Sequence, residues 1–346
     1  MYRDHTVAVV VPAYNEEGLV GTVIDTMPPF VDRVYAIDDA SADGTWAEIR
    51  RHSERANARR SPPEKVVADG GGPDNGDPDD RFVVPLRHED NAGRGRCVKD
   101  GYRMAYDAGF DVVAVMDGDG QMDPAVLDTI LDPVVSEEAA YAKGTRLQDR
   151  AHVAGMSRWR LFGNLLLSFL TNLSSGYWGM ADSQNGYTAI SRKALETIPI
   201  EDLYDGYGFL NDILTTLNIH GFRIAEVPHP AVYDEEESGI EYTSFVPRVS
   251  GLLLSNFLHR MHRQYVSGGV HATVVCYVAG IVAFVVGVLN GVSGLLTGGV
   301  ALVAALPTAV ILVAAPLLLL LGVALDVQQN RGLAYRSDTR TELQGQ

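Results

Sequence analysis

Asp117-Gly118-Asp119-Gly120-Gln121 sets two carboxylates and a carboxamide at alternate positions directly after the apolar run Val112-Val113-Ala114-Val115-Met116. Hard oxygen donors at i, i+2 and i+4 suit Mg²⁺ or Mn²⁺, which take few protein oxygens and keep coordination positions for phosphate. The preceding run is rich in β-branched residues and stops abruptly at Asp117. The carboxylates are therefore expected at the carboxyl end of a strand, the edge where open α/β sheets bind ligands. Spacing and setting predict a metal-diphosphate site on Asp117, Asp119 and Gln121. Because Asp-x-Asp also occurs by chance in solvated turns, the surrounding elements have to decide.

Such a site needs a sheet behind it, and strand-like runs recur along the chain. Residues 6–11 read as a buried parallel strand running into Pro12-Ala13-Tyr14-Asn15-Glu16, with Asn15 placed to cap a helix through Met27. Residues 33–37 make a second strand that ends in Asp38-Asp39-Ala40-Ser41-Ala42-Asp43-Gly44-Thr45 and gives way to a helix to about Asn57. Residues 82–86 resume the sheet, and Asn91-Ala92-Gly93-Arg94-Gly95-Arg96 opens a helix to about Ala108. Residues 112–116 then deliver the acidic motif, and 140–145 form a further strand before Arg146. This alternation predicts an α/β fold, a mostly parallel sheet with helices on both faces. Residues 56–81, above all from Ser61 onward, are rich in Pro, Gly and Asp without an apolar period and read as a mobile acidic insertion.

The second half changes character. Leu161, Phe162, Leu165, Leu166, Phe169, Leu170 and Leu173 follow one helix face behind Arg158 and Arg160, and residues 245–265 form a second amphipathic segment. Both are candidates for the bilayer surface, with Arg248, Arg260 and Arg263 facing anionic headgroups. From Val270 to Val327 the one formally charged residue is Asp326, a run about twice the roughly 20 residues that one spanning helix needs. Two spans are expected at 272–289 and 303–325, with 290–299 as the turn. Arg260, His262 and Arg263 precede them and Arg331, Arg336 and Arg340 follow, so the positive-inside rule puts both ends in the cytoplasm. No signal peptide is read at the start. Cys97 and Cys276 are expected to remain unpaired.

Forty-four acidic against 28 basic residues give a net charge of −16, and only four residues are lysine. This disfavours nucleic acid as a partner and resembles the halophilic pattern, in which a Debye length of about 3 Å at 1 M salt removes self-repulsion.

Taken in order, Val11-Pro12-Ala13-Tyr14-Asn15-Glu16, the Asp38 to Thr45 motif, Asn91-Ala92-Gly93-Arg94-Gly95, Asp117-Gly118-Asp119-Gly120-Gln121, Gly144-Thr145-Arg146 and Asp182-Ser183-Gln184-Asn185-Gly186-Tyr187 resemble family 2 glycosyltransferases. The chain is similar, within that family, to the dolichyl-phosphate and polyprenyl-phosphate hexose synthases for mannose or glucose. The resemblance implies a GT-A, Rossmann-like sheet with flanking helices, amphipathic interfacial helices and two C-terminal transmembrane helices. It implies an inverting transfer of a hexose from a GDP- or UDP-sugar donor to a polyprenyl (dolichyl) phosphate acceptor at a lipid bilayer. Pro12, Tyr14, Glu16, Ile37 and Asp39 are then placed around the nucleotide, and Asp117, Gly118, Asp119 and Gln121 around Mg²⁺ or Mn²⁺. Arg146 is placed at phosphate, Asp182 and Gln184 at the sugar, and Asp212 at the position of a later acid that serves as base or sugar-positioning group. The implied layout is a cytosolic catalytic domain over 1–240, a juxtamembrane helix over 241–268, an anchor over 269–327 and a cytosolic tail over 328–346. A domain cut after about Tyr265 is expected to fold and bind nucleotide sugar, since the sheet and all six motifs lie before that point.

Two departures stand out. Where relatives carry basic residues after the last core strand, Val232-Tyr233-Asp234-Glu235-Glu236-Glu237-Ser238-Gly239 is acidic, so Arg248, Arg158 or Arg160 has to serve the acceptor phosphate. The family's glycine-lysine-glycine appears as Gly93-Arg94-Gly95. An enzyme extending a lipid-linked glycan or polysaccharide is the competing reading, but Ser157-Arg158-Trp159 lacks the glutamine such enzymes place before it. A non-catalytic nucleotide-sugar module has no need of all three metal ligands.

Overall fold

The computed structural model describes residues 1–60, 81–145, 158–206, 208–229, 242–296 and 302–337. Strand β1 (Val7–Ala13) is buried along its whole length, as a β-branched run with no charge must be when both sheet faces are covered. Its period of two divides the core. Val7, Val9 and Val11 pack with α1 (Val20–Asp25), α2 (Thr45–Arg60) and α4 (Leu127–Val135). Ala8 and Val10 face α3 (Arg94–Asp107), α6 (Arg192–Thr197) and α7 (Phe209–Ile219) on the other side.

The remaining strands are β2 (Arg33–Asp38), β3 (Val83–Arg87), β4 (Val112–Val115), β5 (Tyr141–Thr145), β6 (Thr188–Ser191), β7 (Ile224–Pro228) and β8 (Ala334–Arg336). They lie in the order β3-β2-β1-β4-β6-β5-β7-β8. Strand β6 is antiparallel to both β4 and β5, and every other pairing is parallel. The mostly parallel sheet agrees with the expectation, while β6, β7 and β8 had no sequence signal strong enough to name them. Each is five residues or shorter.

Several local expectations are corrected. Asn15 does not cap the first helix: it lies at φ 57°, its Oδ1 accepts from the Ala42 amide, and α1 begins later, after Leu19. Helix α2 runs on to Arg60, whose guanidinium covers the Phe82 ring at 3.4 Å and donates to the Val31 carbonyl at 2.7 Å, so 56–60 belong to the helix and not to the insertion. Residues 61–80 lie outside the described residues.

Helices α5 (Arg158–Ser175) and α8 (Tyr242–Tyr265) pack against each other and carry Leu166, Phe169, Leu254 and Leu258 about half exposed or more. They lead to α9 (Ala272–Leu296) and α10 (Leu302–Gln329). Helix α9 continues through most of the expected 290–299 turn. Both helices are long and apolar enough to cross a membrane, over Ala272–Gly294 and Leu306–Gln329, and only 22% and 11% of an apolar 18-residue stretch of each is buried. Helices of a soluble core would be covered; these present Val278, Phe284, Val313 and Leu320 outward.

The hairpin is not a free appendage. Arg260 of α8 is fully buried and forks onto Asp326 of α10 at 2.8 and 2.9 Å. Its remaining N–H groups donate to the carbonyls of Ser174 and Leu173 in α5, while Tyr265, Asn330 and Trp178 donate to Asp326. Beyond the hairpin, β8 returns to pair with β7, so the sheet is not complete at Tyr265 and residues 334–336 of the expected tail are part of it. The basis for expecting a truncated domain to fold therefore fails. Arg260→Ala leaves a buried carboxylate unpaired, and about 3–5 kcal/mol of stability should be lost. Thermal unfolding of the full-length protein in lipid or detergent measures it, and a change under about 1 kcal/mol would show the pair to be dispensable.

Candidate active site

Three loops leave the carboxyl ends of β1, β2 and β4 side by side. The Asp39 amide donates to the Ala13 carbonyl at 2.9 Å and the Gly118 amide to the Pro12 carbonyl at 3.0 Å, so the register of the sheet continues into the loops. Pro12 and Ile37 are buried beneath this edge and Tyr14 is 48% exposed above it. The Glu16 amide donates to Thr45 Oγ1 at 2.7 Å, fastening the first loop to the start of α2. Pro12, Tyr14, Glu16, Ile37, Asp39, Asp117 and Gly118 thus come from one edge of the sheet.

Asp39 is nearly fully buried and its carboxylate is engaged by the chain itself. It accepts from the Ala92 and Gly93 amides at 3.0 and 2.7 Å and faces His88 Nδ1 at 2.8 Å. His88 Nε2 lies 3.2 Å from Asp100, which also receives Arg96 and Arg103. Asp39 therefore shapes the 91–93 loop, and any contact it makes with a nucleotide shares an oxygen with these donors. The ligand atoms of Asp39, His88 and Cys97 lie within 4.8 Å of one another. Asp39 and His88 are already engaged by the hydrogen bonds above, and burial, reinforced by Asp39 and Asp100, raises the Cys97 thiol pKa.

Asp117 and Asp119 flank Gly118 at the end of β4. Asp119 Oδ1 accepts from the Gln121 amide at 2.9 Å, folding the motif into a tight turn. Asp117 Oδ1 receives Arg94 Nε at 2.7 Å, and Arg94 Nη2 reaches the Gly186 carbonyl at 3.2 Å. Burial works against the Arg94 cation, but the Asp117 carboxylate outweighs it and the guanidinium pKa is raised. An all-oxygen set of two carboxylates and one carboxamide fits Mg²⁺ or Mn²⁺, and Arg94 offsets part of its charge. Gly186 packs against this pair: a Cβ there would stand 2.7 Å from Asp117 Oδ2 and overlap the Arg94 guanidinium.

Asp182 is buried in the loop before β6, and Gln184 Nε2 donates to Asn211 Oδ1 of α7 and to Ser183 Oγ, both at 3.1 Å. Asp212, in the first turn of α7, accepts from the Tyr204 amide at 2.8 Å. Burial raises its pKa, against the opposing Tyr204 and Asn256 hydrogen bonds, His259 and Lys99. Its carboxylate holds the loop that precedes α7. Lys99 of α3 secures the same loop, donating to the Glu201 and Leu203 carbonyls and to Asp205 at 2.7–2.9 Å. Arg146 and the 232–239 segment lie outside the described residues, and Arg158 and Arg160 sit in the first turn of α5 with side chains outside them.

Sequence reasoning noted Arg94 only as a change of lysine to arginine and passed over His88 and Lys99. Their signal was available: a cation between two glycines, opening a helix that faces an acidic motif, has little reason to be solvated.

The family model for glycosyl transferase family 2 matches residues 8–198. The chain is 27% identical over 233 residues to a UDP-N-acetylglucosamine–dolichyl-phosphate N-acetylglucosaminyltransferase of Methanococcus voltae, spanning 67% of this chain and 88% of that one. It is 27% identical over 235 residues to an undecaprenyl-phosphate mannosyltransferase of Micrococcus luteus, spanning 64% and 82%. In fold it is similar to the crystal structure of glucosyl-3-phosphoglycerate synthase from Mycobacterium tuberculosis, with a TM-score of 0.51 over 74% of this chain and 80% of that one at 18% identity. The family match runs across more than half of the chain, from β1 to α6, and takes in the loops that gather at the carboxyl edge of the sheet: the chain belongs to glycosyl transferase family 2.

Proposed function

We propose that the chain transfers one hexose from a nucleotide sugar to a polyprenyl phosphate at a membrane surface. The observation that carries this reading is the joining of a family 2 catalytic sheet, through buried Arg260 and through β8, to two exposed apolar helices long enough to cross a bilayer. A lipid acceptor gives such an arrangement a purpose, and the Methanococcus voltae and Micrococcus luteus relatives are named for lipid-phosphate acceptors. Leu166, Phe169, Leu254 and Leu258 then rest on the same bilayer. The catalytic domain and both termini lie in the cytoplasm, consistent with the flanking arginines.

In this reading an acceptor phosphate oxygen attacks the anomeric carbon, the bond from that carbon to the donor's β-phosphate oxygen breaks, and the nucleoside diphosphate leaves with inversion. Asp117, Asp119 and Gln121 would hold Mg²⁺ or Mn²⁺, which when bound would supply positive charge against the leaving diphosphate. Arg94 keeps Asp117 oriented toward the cleft. Pro12, Tyr14, Glu16, Ile37 and Asp39 surround the base and ribose, Asp182 and Gln184 the sugar, and Arg146 a phosphate, with Arg158 and Arg160 near the acceptor. A phosphate monoester with a second pKa near 6 is largely dianionic at neutral pH and needs no strong base. Asp212, held by the Tyr204 amide, accordingly positions the sugar rather than removing a proton.

The sugar is mannose or glucose, and the Methanococcus voltae relative adds N-acetylglucosamine to the donors worth testing. Membranes holding the protein at high salt, given radiolabelled GDP-mannose, UDP-glucose and UDP-N-acetylglucosamine, should yield one lipid-extractable monosaccharide phosphate. Label confined to longer glycans would support the extending enzyme instead. Asp119→Ala should lose roughly 100-fold or more in turnover. Near-normal activity of that variant with the metal chelated would overturn the metal assignment. Gly186→Ala should displace the Arg94–Asp117 pair and lower turnover by about 10-fold or more, since an ångström of misplacement near the reacting atoms suffices. Unchanged turnover in a folded Gly186→Ala protein would separate that pair from catalysis.

A further inference from the structure

Beneath the 181–186 loop, three charged side chains cross the sheet in a row. Lys143 in β5 is the register partner of Glu226 in β7, and Glu226 is the register partner of Arg336 in β8. Register partners in parallel strands share a face, so cation, anion and cation stand side by side. Lys143 is 1% exposed and Glu226 5%, and charges so deep require specific partners.

They find them in the loop backbone. Lys143 Nζ donates to the carbonyls of Ser183 and Asn185 at 2.9 and 2.6 Å. Glu226 Oε1 accepts from the amides of Ala181 and Asp182 at 2.9 and 3.1 Å. The loop is thus held by its carbonyls on a cation and by its amides on an anion. Arg336 Nη2 stands 3.7 Å from the other Glu226 oxygen, and the Ser337 amide donates to the Glu226 carbonyl at 3.0 Å. The countercharge for the loop's anchor therefore arrives on the strand that follows the membrane hairpin.

We propose that Glu226 and Arg336, together with Lys143, are positioning residues for the sugar-facing loop, so that docking of β8 after the hairpin sets the geometry of the sugar pocket. This rests on the reading of Asp182 and Gln184 as sugar-lining. Neither Glu226 nor Arg336 touches substrate: Glu226 fixes the amide of Asp182 itself, and Arg336 with the Ser337 amide fixes Glu226. The membrane segment and the catalytic loop are coupled through one strand pair.

Full-length protein in lipid nanodiscs tests this with Glu226→Ala, Glu226→Gln and the double substitution Arg336→Ala/Ser337→Pro, which removes the countercharge and one bond of the strand pair. The readouts are amide hydrogen exchange at residues 181–182, kcat and KM for the nucleotide sugar, and binding of the nucleoside diphosphate. Exchange at these amides should quicken about 10-fold or more in Glu226→Ala and by a smaller factor in the double variant. Turnover should fall about 10-fold in Glu226→Ala while KM and nucleoside diphosphate affinity stay within about 2-fold. Glu226→Gln keeps an acceptor oxygen and should recover most of both losses. Unchanged exchange at 181–182 in the double variant would overturn the coupling, even if Glu226→Ala fails to fold. Quickened exchange with unaltered turnover would leave the coupling in place and overturn the sugar-lining reading on which it rests.

Discussion

Two backbone hydrogen bonds at the carboxyl edge of the sheet, Asp39 N–H to Ala13 O and Gly118 N–H to Pro12 O, set the spacing on which the rest of the site depends. They extend the register of β1 one residue past β2, which ends at Asp38, and three residues past β4, which ends at Val115. The first loop, the Asp38-Asp39 turn and the Asp117-Asp119 motif consequently start from fixed, neighbouring points. A sheet edge is a rigid platform, because each strand is held by two others and by helices on both faces.

Charge is the second organising element. The site concentrates carboxylates, and four of them have identifiable donors: Asp39 has loop amides and His88, Asp117 has Arg94, Asp119 has the Gln121 amide, and Asp212 has the Tyr204 amide. These donors do more than neutralise. They fix the direction in which each of these carboxylates points, so the oxygens at this edge of the sheet are preorganised. Arg94 links two motifs far apart in sequence, since it bridges Asp117 and the Gly186 carbonyl.

The apolar hairpin enters this scheme at two places. Arg260 and Asp326 form a bidentate, fully hydrogen-bonded pair where α5, α8 and α10 converge, and such a buried pair tolerates little displacement. Strand β8 then brings the chain back into the sheet beside β7. The apolar hairpin and the sheet are joined by a buried ion pair on one side and by backbone hydrogen bonds on the other, which keeps the carboxyl edge in a defined relation to the two apolar helices.

Long runs were legible in the sequence because they are local: the β-branched residues of β1 and β4, the apolar stretches of α9 and α10, and Asp117, Asp119 and Gln121 at alternate positions all announce themselves within a few residues. The strands β6, β7 and β8 were not, since three to five residues without the unbroken apolar run of β4 carry too little signal and their pairing is chosen by the sheet they complete. The sequence by itself determined that an α/β sheet with flanking helices is followed by two apolar helices, and where along the chain the candidate oxygen ligands fall. Only the tertiary structure decided that Asn15 reaches Ala42 instead of capping a helix, that Asp39 is engaged by the 92–93 amides, and that Arg94, Lys143 and Glu226 hold the loops. A side chain's type fixes what it can bond. Its partner, when it lies 23 to 54 residues away as for Arg94 with Asp117 and Asp39 with the 92–93 amides, is fixed by how the strands stack.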